Sequence, residues 1–207
     1  MFLEINLVLI LGAALLASIS PGPATLAIAG TSMASGKGAG LALASGITTG
    51  SFIWSISAAF GLGAIMLANA WVFEIVRYFG ASYLMYLAYK AARSAFTSKD
   101  LAVKSIKGGK LSLFSRGLLL HVTNPKAILF FGSLYSLGMP IDATIDQLAL
   151  VIIAVGTQSL IVFHGYALLF SSKVMTAFYL HARRWFEGAF AIGFGAASIK
   201  ILTTRIQ

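Results

Sequence analysis

A polar triplet, Asn124-Pro125-Lys126, interrupts a long apolar run that extends from Gly117 to Phe131. A lysine and a proline near the middle of a membrane-spanning segment are energetically costly, so residues placed there are functional candidates. The lysine can neutralise a substrate carboxylate, and the break frees N–H groups at the start of the following half-helix. We therefore predict that Asn124, Pro125 and Lys126 bind substrate. The alternative is structural: Lys126 reaches the membrane surface or caps carbonyl groups freed by the break, and Asn124 bridges to a neighbouring helix.

A second break, Ser20-Pro21-Gly22-Pro23, lies about a hundred residues earlier in another apolar run. Pro21 and Pro23 each remove a backbone donor, and Gly22 adds conformational freedom. A straight helix over the whole run, about residues 5–34, would be about 45 Å long, whereas the hydrocarbon core of a bilayer is about 30 Å thick. We therefore predict two half-helices that meet near the membrane midplane, with Pro21, Gly22 and Pro23 lining the substrate site.

Three titratable residues are candidates for proton coupling. His121 lies one turn before Pro125, and His164 lies within a later apolar run. Imidazole titrates near neutral pH, so either histidine can take up a proton during transport; the alternative is a neutral, hydrogen-bonded histidine in the core. Glu74 and Arg77 are three residues apart and share a helix face, which fits either a gate with a proton-accepting Glu74 or an interfacial ion pair.

The composition indicates a membrane protein. Only 10% of the 207 residues are charged and 58% are hydrophobic, whereas a soluble domain has about 25% charged residues. We therefore predict one transmembrane transporter domain over residues 1–207. Cysteine is absent, the acidic residues are scattered, and the glycines before Lys110 do not match a phosphate-binding loop. We expect no metal and no cofactor.

Six apolar segments must position the candidate residues. By hydropathy they cover about Ile5 to Ala34, Ala39 to Met66, Ala70 to Ala92, Leu113 to Leu137, Gln147 to Phe170, and Phe186 to Leu202. The predicted fold is an all-α integral membrane protein with six transmembrane helices, of which the first and fourth are broken at the proline-containing motifs.

The distribution of charged residues predicts how the chain is oriented in the membrane. If the six spans alternate, one side of the membrane has eleven basic residues: Lys37, Lys90, Arg93, Lys99, Lys104, Lys107, Lys110, Arg116, Lys173, Arg183 and Arg184. The other side has Lys200 and Arg205, together with Glu4, Asp142 and Asp146. The positive-inside rule then makes the basic loops cytoplasmic and places both termini outside. Because the net charge of +9 lies in short loops, we predict contact with the lipid bilayer and no binding of nucleic acid.

The two halves of the chain predict an inverted repeat. Three spans that begin on one side are followed by three that begin on the other, with half-repeats over about residues 1–97 and 110–207 joined by a basic loop. The proline breaks fall in the first span of each half, which is typical of a transporter's central site. Small residues at four-residue spacing, such as Gly46 and Gly50, predict close helix packing within the chain or, alternatively, a homo-oligomer.

Motifs in a fixed order along nearly the whole chain carry a family resemblance. They are Ser20-Pro21-Gly22-Pro23-Ala24, Gly36-Lys37-Gly38-Ala39-Gly40-Leu41, Gly46-Ile47, Arg77-Tyr78-Phe79-Gly80-Ala81-Ser82-Tyr83-Leu84-Met85-Tyr86-Leu87, Gly117, Asn124-Pro125-Lys126-Ala127, Tyr166-Ala167, Gly188 and Gly195. In this order and spacing the chain resembles the lysine-exporter (LysE/RhtB-type) superfamily of bacterial amino-acid exporters, particularly its homoserine/threonine-resistance branch.

The resemblance implies a transporter, not an enzyme. It implies export of an amino acid or a related small metabolite across the bacterial inner membrane, driven by the proton gradient, with the substrate, protons and the lipid bilayer as partners. Two alternatives remain open from the residues themselves. One is a membrane-embedded enzyme acting on lipid, which would need clustered carboxylates or histidines. The other is a channel or an uptake system on the same scaffold.

Overall fold

The computed structural model describes residues 5–68, 70–97, 105–135, 139 and 143–203. These residues form eight α-helices and no β-strand, which confirms the all-α prediction for this part of the chain. The helices are α1 (Leu7–Ile19), α2 (Pro23–Ser35), α3 (Lys37–Ala68), α4 (Ala70–Phe96), α5 (Lys110–Val122), α6 (Pro125–Leu134), α7 (Ile145–Leu169) and α8 (Lys173–Thr203).

Among the described residues, two helical stretches are long and apolar enough to cross a membrane. They are Lys37–Gly61 within α3, and the whole of α7. The pair α1 and α2, bent by 49° at the first break, provides a third span if both halves belong to one crossing. Helices α4 and α8 have 27 and 31 residues, which is long enough at about 1.5 Å per residue, but they contain several charged residues. The arrangement of six spans in a three-plus-three repeat therefore stays a prediction.

The first helix break occurs at the predicted residues. Helix α1 ends at Ile19, Ser20 is extended, and α2 begins at Pro23. Gly22 is the N-cap of α2, and its N–H donates to Thr25 Oγ1 over 2.9 Å. The prolines remove donors that a continuous helix needs, and the threonine hydroxyl satisfies an N–H at the new N-terminus.

The second break also occurs as predicted. Helix α5 ends at Val122 and α6 begins at Pro125, the position at which a helix tolerates proline best. Asn124 is the N-cap of α6, and its side-chain oxygen accepts a hydrogen bond from Lys126 N over 3.0 Å. Asn124 therefore caps its own half-helix, which differs from the structural alternative of a bridge to a neighbouring helix.

Helix α3 packs against α5 and α7 through small residues. A Cβ atom added at Gly46 would lie 2.0 Å from the Phe114 carbonyl oxygen, and one added at Gly117 would lie 2.3 Å from the Leu43 carbonyl oxygen. The helix axes are therefore close enough for backbone to touch backbone. At Gly50 an added Cβ would lie 2.9 Å from the His121 side chain. The predicted glycine packing is thus found within the chain.

Helix α8 begins well before the predicted sixth segment. It begins at Lys173, whereas hydropathy placed the segment start at Phe186. The early turns of α8 are rich in polar and charged residues, which lower the hydropathy, but they are ordered by packing. Tyr179 contacts Phe170, the C-cap of α7, with ring centroids 4.9 Å apart. Arg184 Nε also donates to a backbone carbonyl at the end of α4 over 3.1 Å.

Candidate functional site

Lys126 joins the two helix breaks. Its ammonium group donates to the Ser20 carbonyl oxygen over 3.0 Å and to the Ser20 hydroxyl. Gly22 makes room for the lysine side chain, since a Cβ atom there would lie 3.2 Å from Lys126 Cδ. The structure therefore brings the predicted residues of both breaks together. It also shows the structural alternative for Lys126, because the Ser20 carbonyl belongs to the end of α1 and needs a donor.

Tyrosine hydroxyl groups from two other helices donate hydrogen bonds to carbonyl oxygens beside the two breaks. Tyr83 on α4 donates to the Lys126 carbonyl oxygen over 3.3 Å. Tyr166 on α7 donates to the Ile19 carbonyl oxygen over 2.5 Å. The Ile19 carbonyl lies at the end of α1 and lacks an intrahelical donor, which Tyr166 supplies, whereas Tyr83 ties α4 to the first turn of α6. Neither tyrosine was among the predicted site residues, although both belong to motifs quoted above.

A large cleft lies against both breaks. Its volume is about 700 Å³, within the usual range for sites that enclose a small molecule. All six predicted substrate-binding residues line it: Pro21, Gly22, Pro23, Asn124, Pro125 and Lys126. The opposite walls come from α4 and α8. The cleft is therefore both large enough and polar enough at one end for an amino acid.

A charged cluster on α4 and α8 forms another part of the cleft. Glu187 is only 4% exposed, and its Oε1 accepts a hydrogen bond from Ser94 Oγ over 2.9 Å. Arg183 donates from Nη2 to the same Ser94 oxygen over 3.0 Å, and its Nε lies 4.0 Å from Glu187 Oε1. Lys90 also lines the cleft. Sequence reasoning missed this cluster, although an acidic residue just inside an apolar segment, as Glu187 is, was a usable signal.

A second, smaller cavity shares Ser20, Gly22, Asn124 and Lys126 with the cleft. Its volume is about 40 Å³, enough for about three water molecules. His121 lines this cavity. The ring is buried between Phe131 and Phe163, with centroid distances of 6.4 and 5.8 Å.

The two nitrogen atoms of His121 differ. Nε2 is 3.0 Å from Ser51 Oγ, whereas Nδ1 is buried without a hydrogen-bond partner among the described residues. A buried polar atom usually has a partner, and here the adjacent small cavity is large enough to hold water. His121 therefore borders a cavity that is large enough to hold water.

His164 is not brought to the site. His164 Nε2 is 3.1 Å from Ser45 Oγ, and its Nδ1 is 2.9 Å from the Leu160 carbonyl oxygen. Both ring nitrogens are thus engaged, and His164 lines neither cavity. The side chains of Glu74 and Arg77, which were predicted to pair, lie outside the described residues.

The side chains of His, Asp and Glu are the potential metal ligands of this chain. Within the residues that the structure describes, no three His, Cys, Asp or Glu side chains are grouped as ligands for an ion. The polar groups around the cavities are hydroxyl groups, the Asn124 amide, the His121 imidazole, the Glu187 carboxylate and the cationic groups of Lys90, Lys126 and Arg183.

Comparison with known proteins identifies one family and several relatives of this chain. A family model described as LysE type translocator matches residues 15–205. The Threonine efflux protein of Escherichia coli (strain K12) is 31% identical over 193 residues, covering 87% of this chain and 91% of the relative. The Threonine efflux protein of Salmonella typhi is 30% identical over 189 residues with the same coverage. The Leucine efflux protein of Salmonella choleraesuis (strain SC-B67) is 37% identical over 115 residues, 56% of this chain and 54% of the relative. No solved structure matches the chain.

Proposed function

The chain belongs to the LysE type translocator family, and we propose that it is a secondary transporter that exports an amino acid, or a closely related small metabolite, across the bacterial inner membrane. Transport proceeds by proton antiport with alternating access. Because the relatives are named threonine and leucine efflux proteins, neutral amino acids are the proposed substrates. The observation that carries the proposal is the contact between Lys126 and Ser20, which joins both helix breaks at the edge of a cleft of about 700 Å³.

The proposed architecture is the six-span inverted repeat. Its main support is that α1 with α2, and α5 with α6, are each interrupted at a proline motif, as corresponding first spans of two half-repeats would be. In this arrangement the basic loops are cytoplasmic and both termini face outward. The close helix packing through glycines occurs within the chain, and a homo-oligomer remains a separate proposal.

The substrate carboxylate binds at Lys126. A lysine ammonium group has three donor hydrogens, and two are directed to Ser20. The third is available to a carboxylate in the cleft. Pro21, Gly22, Pro23, Asn124 and Pro125 shape this end of the cleft around the ammonium group. Since Asn124 already caps the first N–H of α6, the lysine charge supplies most of the attraction.

His121 is the proposed proton-coupling residue. Its Nδ1 faces no protein donor or acceptor among the described residues, and it lines a cavity that Lys126 also lines. A proton on His121 therefore repels the ammonium charge of Lys126, so that the protonation of the two residues is coupled beside the substrate carboxylate. His164 and Glu74 are the alternative proton-coupling residues, and neither has a described place beside the substrate cleft.

Efflux from cells loaded with dipeptides tests the proposal. Cells expressing the chain should release threonine or leucine faster than cells without it, and an uncoupler should abolish the difference. Lys126→Ala should abolish export, whereas Lys173→Ala, which removes an exposed lysine at the start of α8, should not. Membrane insertion of each variant is checked by fractionation. Normal export by an inserted Lys126→Ala variant would contradict the site, and inward transport would contradict the direction.

A further inference from the structure

Glu187 is a buried carboxylate that the proposed transport mechanism does not yet use. It is 4% exposed, lies on α8 and lines the cleft that also contains Lys126. Burying a carboxylate inside a membrane protein is costly unless charged or hydrogen-bonding partners offset the lost hydration. A residue with that cost, facing a cavity, is a candidate ligand-binding group.

The contacts of Glu187 hold it in place without enclosing it. Ser94 donates to Oε1, and Arg183 approaches Oε1 at 4.0 Å while donating to Ser94. Within the described residues only Oε1 has a hydrogen-bond partner. The carboxylate is thus oriented from one side, and its second oxygen is available to a donor from the cleft.

The charges around the cleft indicate which kind of donor group would bind the second oxygen of Glu187. Among the described side chains that line the cleft, Lys90, Lys126 and Arg183 are cationic and Glu187 is the one acid. Glu187 is therefore the charged side chain among these that attracts an ammonium group entering the cleft. A carboxylate, by contrast, is attracted to Lys126. A molecule with one group of each sign fits best if it spans the cleft between the two residues.

We infer that Glu187 binds the α-ammonium group of the substrate while Lys126 binds its carboxylate, so that the cleft selects zwitterionic α-amino acids. This assignment rests on the proposed export function and deepens it. Ser94 and Arg183 are positioning residues, because they orient the carboxylate. The alternative role for Glu187 is structural, in which it only balances the charge of Arg183 between α4 and α8.

The experiment compares two ligands that differ only in the amino group. Threonine and 3-hydroxybutyrate compete against labelled threonine in proteoliposomes containing the full chain, and leucine with 4-methylpentanoate provides a second pair. The variants are Glu187→Gln and Ser94→Ala. Ser198→Ala is the matched control, because Ser198 on α8 donates to the Ala81 carbonyl oxygen on α4 over 2.8 Å and does not line the cleft.

The wild type should prefer the amino acid to its deaminated analogue. Glu187→Gln should weaken threonine binding by roughly 10- to 100-fold, as expected for loss of a charged hydrogen bond, while 3-hydroxybutyrate binds as well as before or better. Ser94→Ala should reduce the preference by a smaller factor, and Ser198→Ala should leave it unchanged.

Three results would overturn the inference. The first is equal binding of both ligands of a pair by the wild type, a result that does not depend on whether any variant folds. The second is a Glu187→Gln variant that keeps the full preference. The third is an equal loss of both ligands, which a structural role predicts. Failure of the wild type to transport either amino acid would instead contradict the proposed function itself, so the two failures are distinguishable.

Discussion

Lys126 Nζ and the Ser20 carbonyl oxygen lie 3.0 Å apart, although 106 positions separate the two residues in the sequence. The bond pairs a carbonyl at the end of α1 with a cation from the first turn of α6. It thus satisfies a group that the first break leaves unpaired and holds the ammonium group at the edge of the cleft. The stability of the break and the proposed binding of substrate therefore involve the same side chain, and experiments must separate the two.

Lys126→Met separates them in part. Methionine keeps an unbranched side chain of similar length but removes the donors, so the Ser20 carbonyl loses its partner. We expect the folded protein to be destabilised by about 1–3 kcal/mol, the usual cost of a buried unpaired polar group. Heat-induced loss of monodisperse protein in detergent measures this change. Export should be lost even at temperatures where the variant is fully folded, and export that persists in the folded variant would contradict the carboxylate-binding role.

Gly22→Ala tests the space beside Lys126. The new Cβ would lie 3.2 Å from Lys126 Cδ, so the lysine side chain must shift by a few tenths of an ångström. Gly22 is extended, with φ of −164°, and alanine adopts that conformation without strain. We expect the half-saturation constant for export to rise by roughly threefold to tenfold, which corresponds to about 1 kcal/mol.

The control for this variant is Gly12→Ala on α1. A Cβ atom at Gly12 would meet nothing within 4 Å, so the substitution should leave export unchanged. Equal half-saturation constants for Gly22→Ala and Gly12→Ala would show that the lysine position beside Gly22 does not affect substrate binding.

Gly46→Ala tests the contact between α3 and α5. The new Cβ would lie 2.0 Å from the Phe114 carbonyl oxygen, and a backbone atom cannot move away as a side chain can. We expect little folded protein in the membrane fraction. Gly61→Ala, in the same helix but with nothing within 4 Å, should accumulate normally. Size-exclusion profiles of the two variants provide the measurement, and a well-folded Gly46→Ala variant would mean that the two helices can separate at little cost.

Local rules predicted the helix breaks but not the cluster at Glu187. Pro23 and Pro125 act on their own helices, because each removes a backbone donor at a known position. The family resemblance read from the motifs is likewise confirmed by the match to residues 15–205. The Glu187 cluster, in contrast, depends on contacts with Ser94 and Arg183. These contacts form because α4 packs against α8, and a hydropathy profile does not predict which helices pack together.

The start of α8 and the role of Asn124 were also not predicted from the sequence. The turns after Lys173 contain so many polar residues that hydropathy does not predict them to be part of the sixth segment. They are nevertheless helical, and Tyr179 packs on the end of α7. Asn124 caps its own helix, which is the commonest role of asparagine before a first helical residue. For Asn124 the sequence predicts substrate binding or, alternatively, a bridge to a neighbouring helix, and it does not predict the cap.

His121→Gln tests proton coupling. Glutamine can keep a hydrogen bond to Ser51 Oγ, now 3.0 Å from His121 Nε2, but it does not titrate near neutral pH. In proteoliposomes we expect export by this variant to lose its acceleration by an imposed pH gradient. Exchange of internal for external substrate, which needs no net proton movement, should continue. The ratio of gradient-driven to exchange rates is the quantity to measure.

His164→Gln and Glu74→Gln are the comparisons for this ratio. His164 has partners for both ring nitrogens, Ser45 and the Leu160 carbonyl, and lines neither cavity. Its loss should therefore leave the response to the gradient intact, with at most a small change in stability. If the response survives in His121→Gln and disappears in His164→Gln or Glu74→Gln, the proton route lies away from the small cavity. That result would assign coupling to a different helix and leave the Lys126 site unaffected.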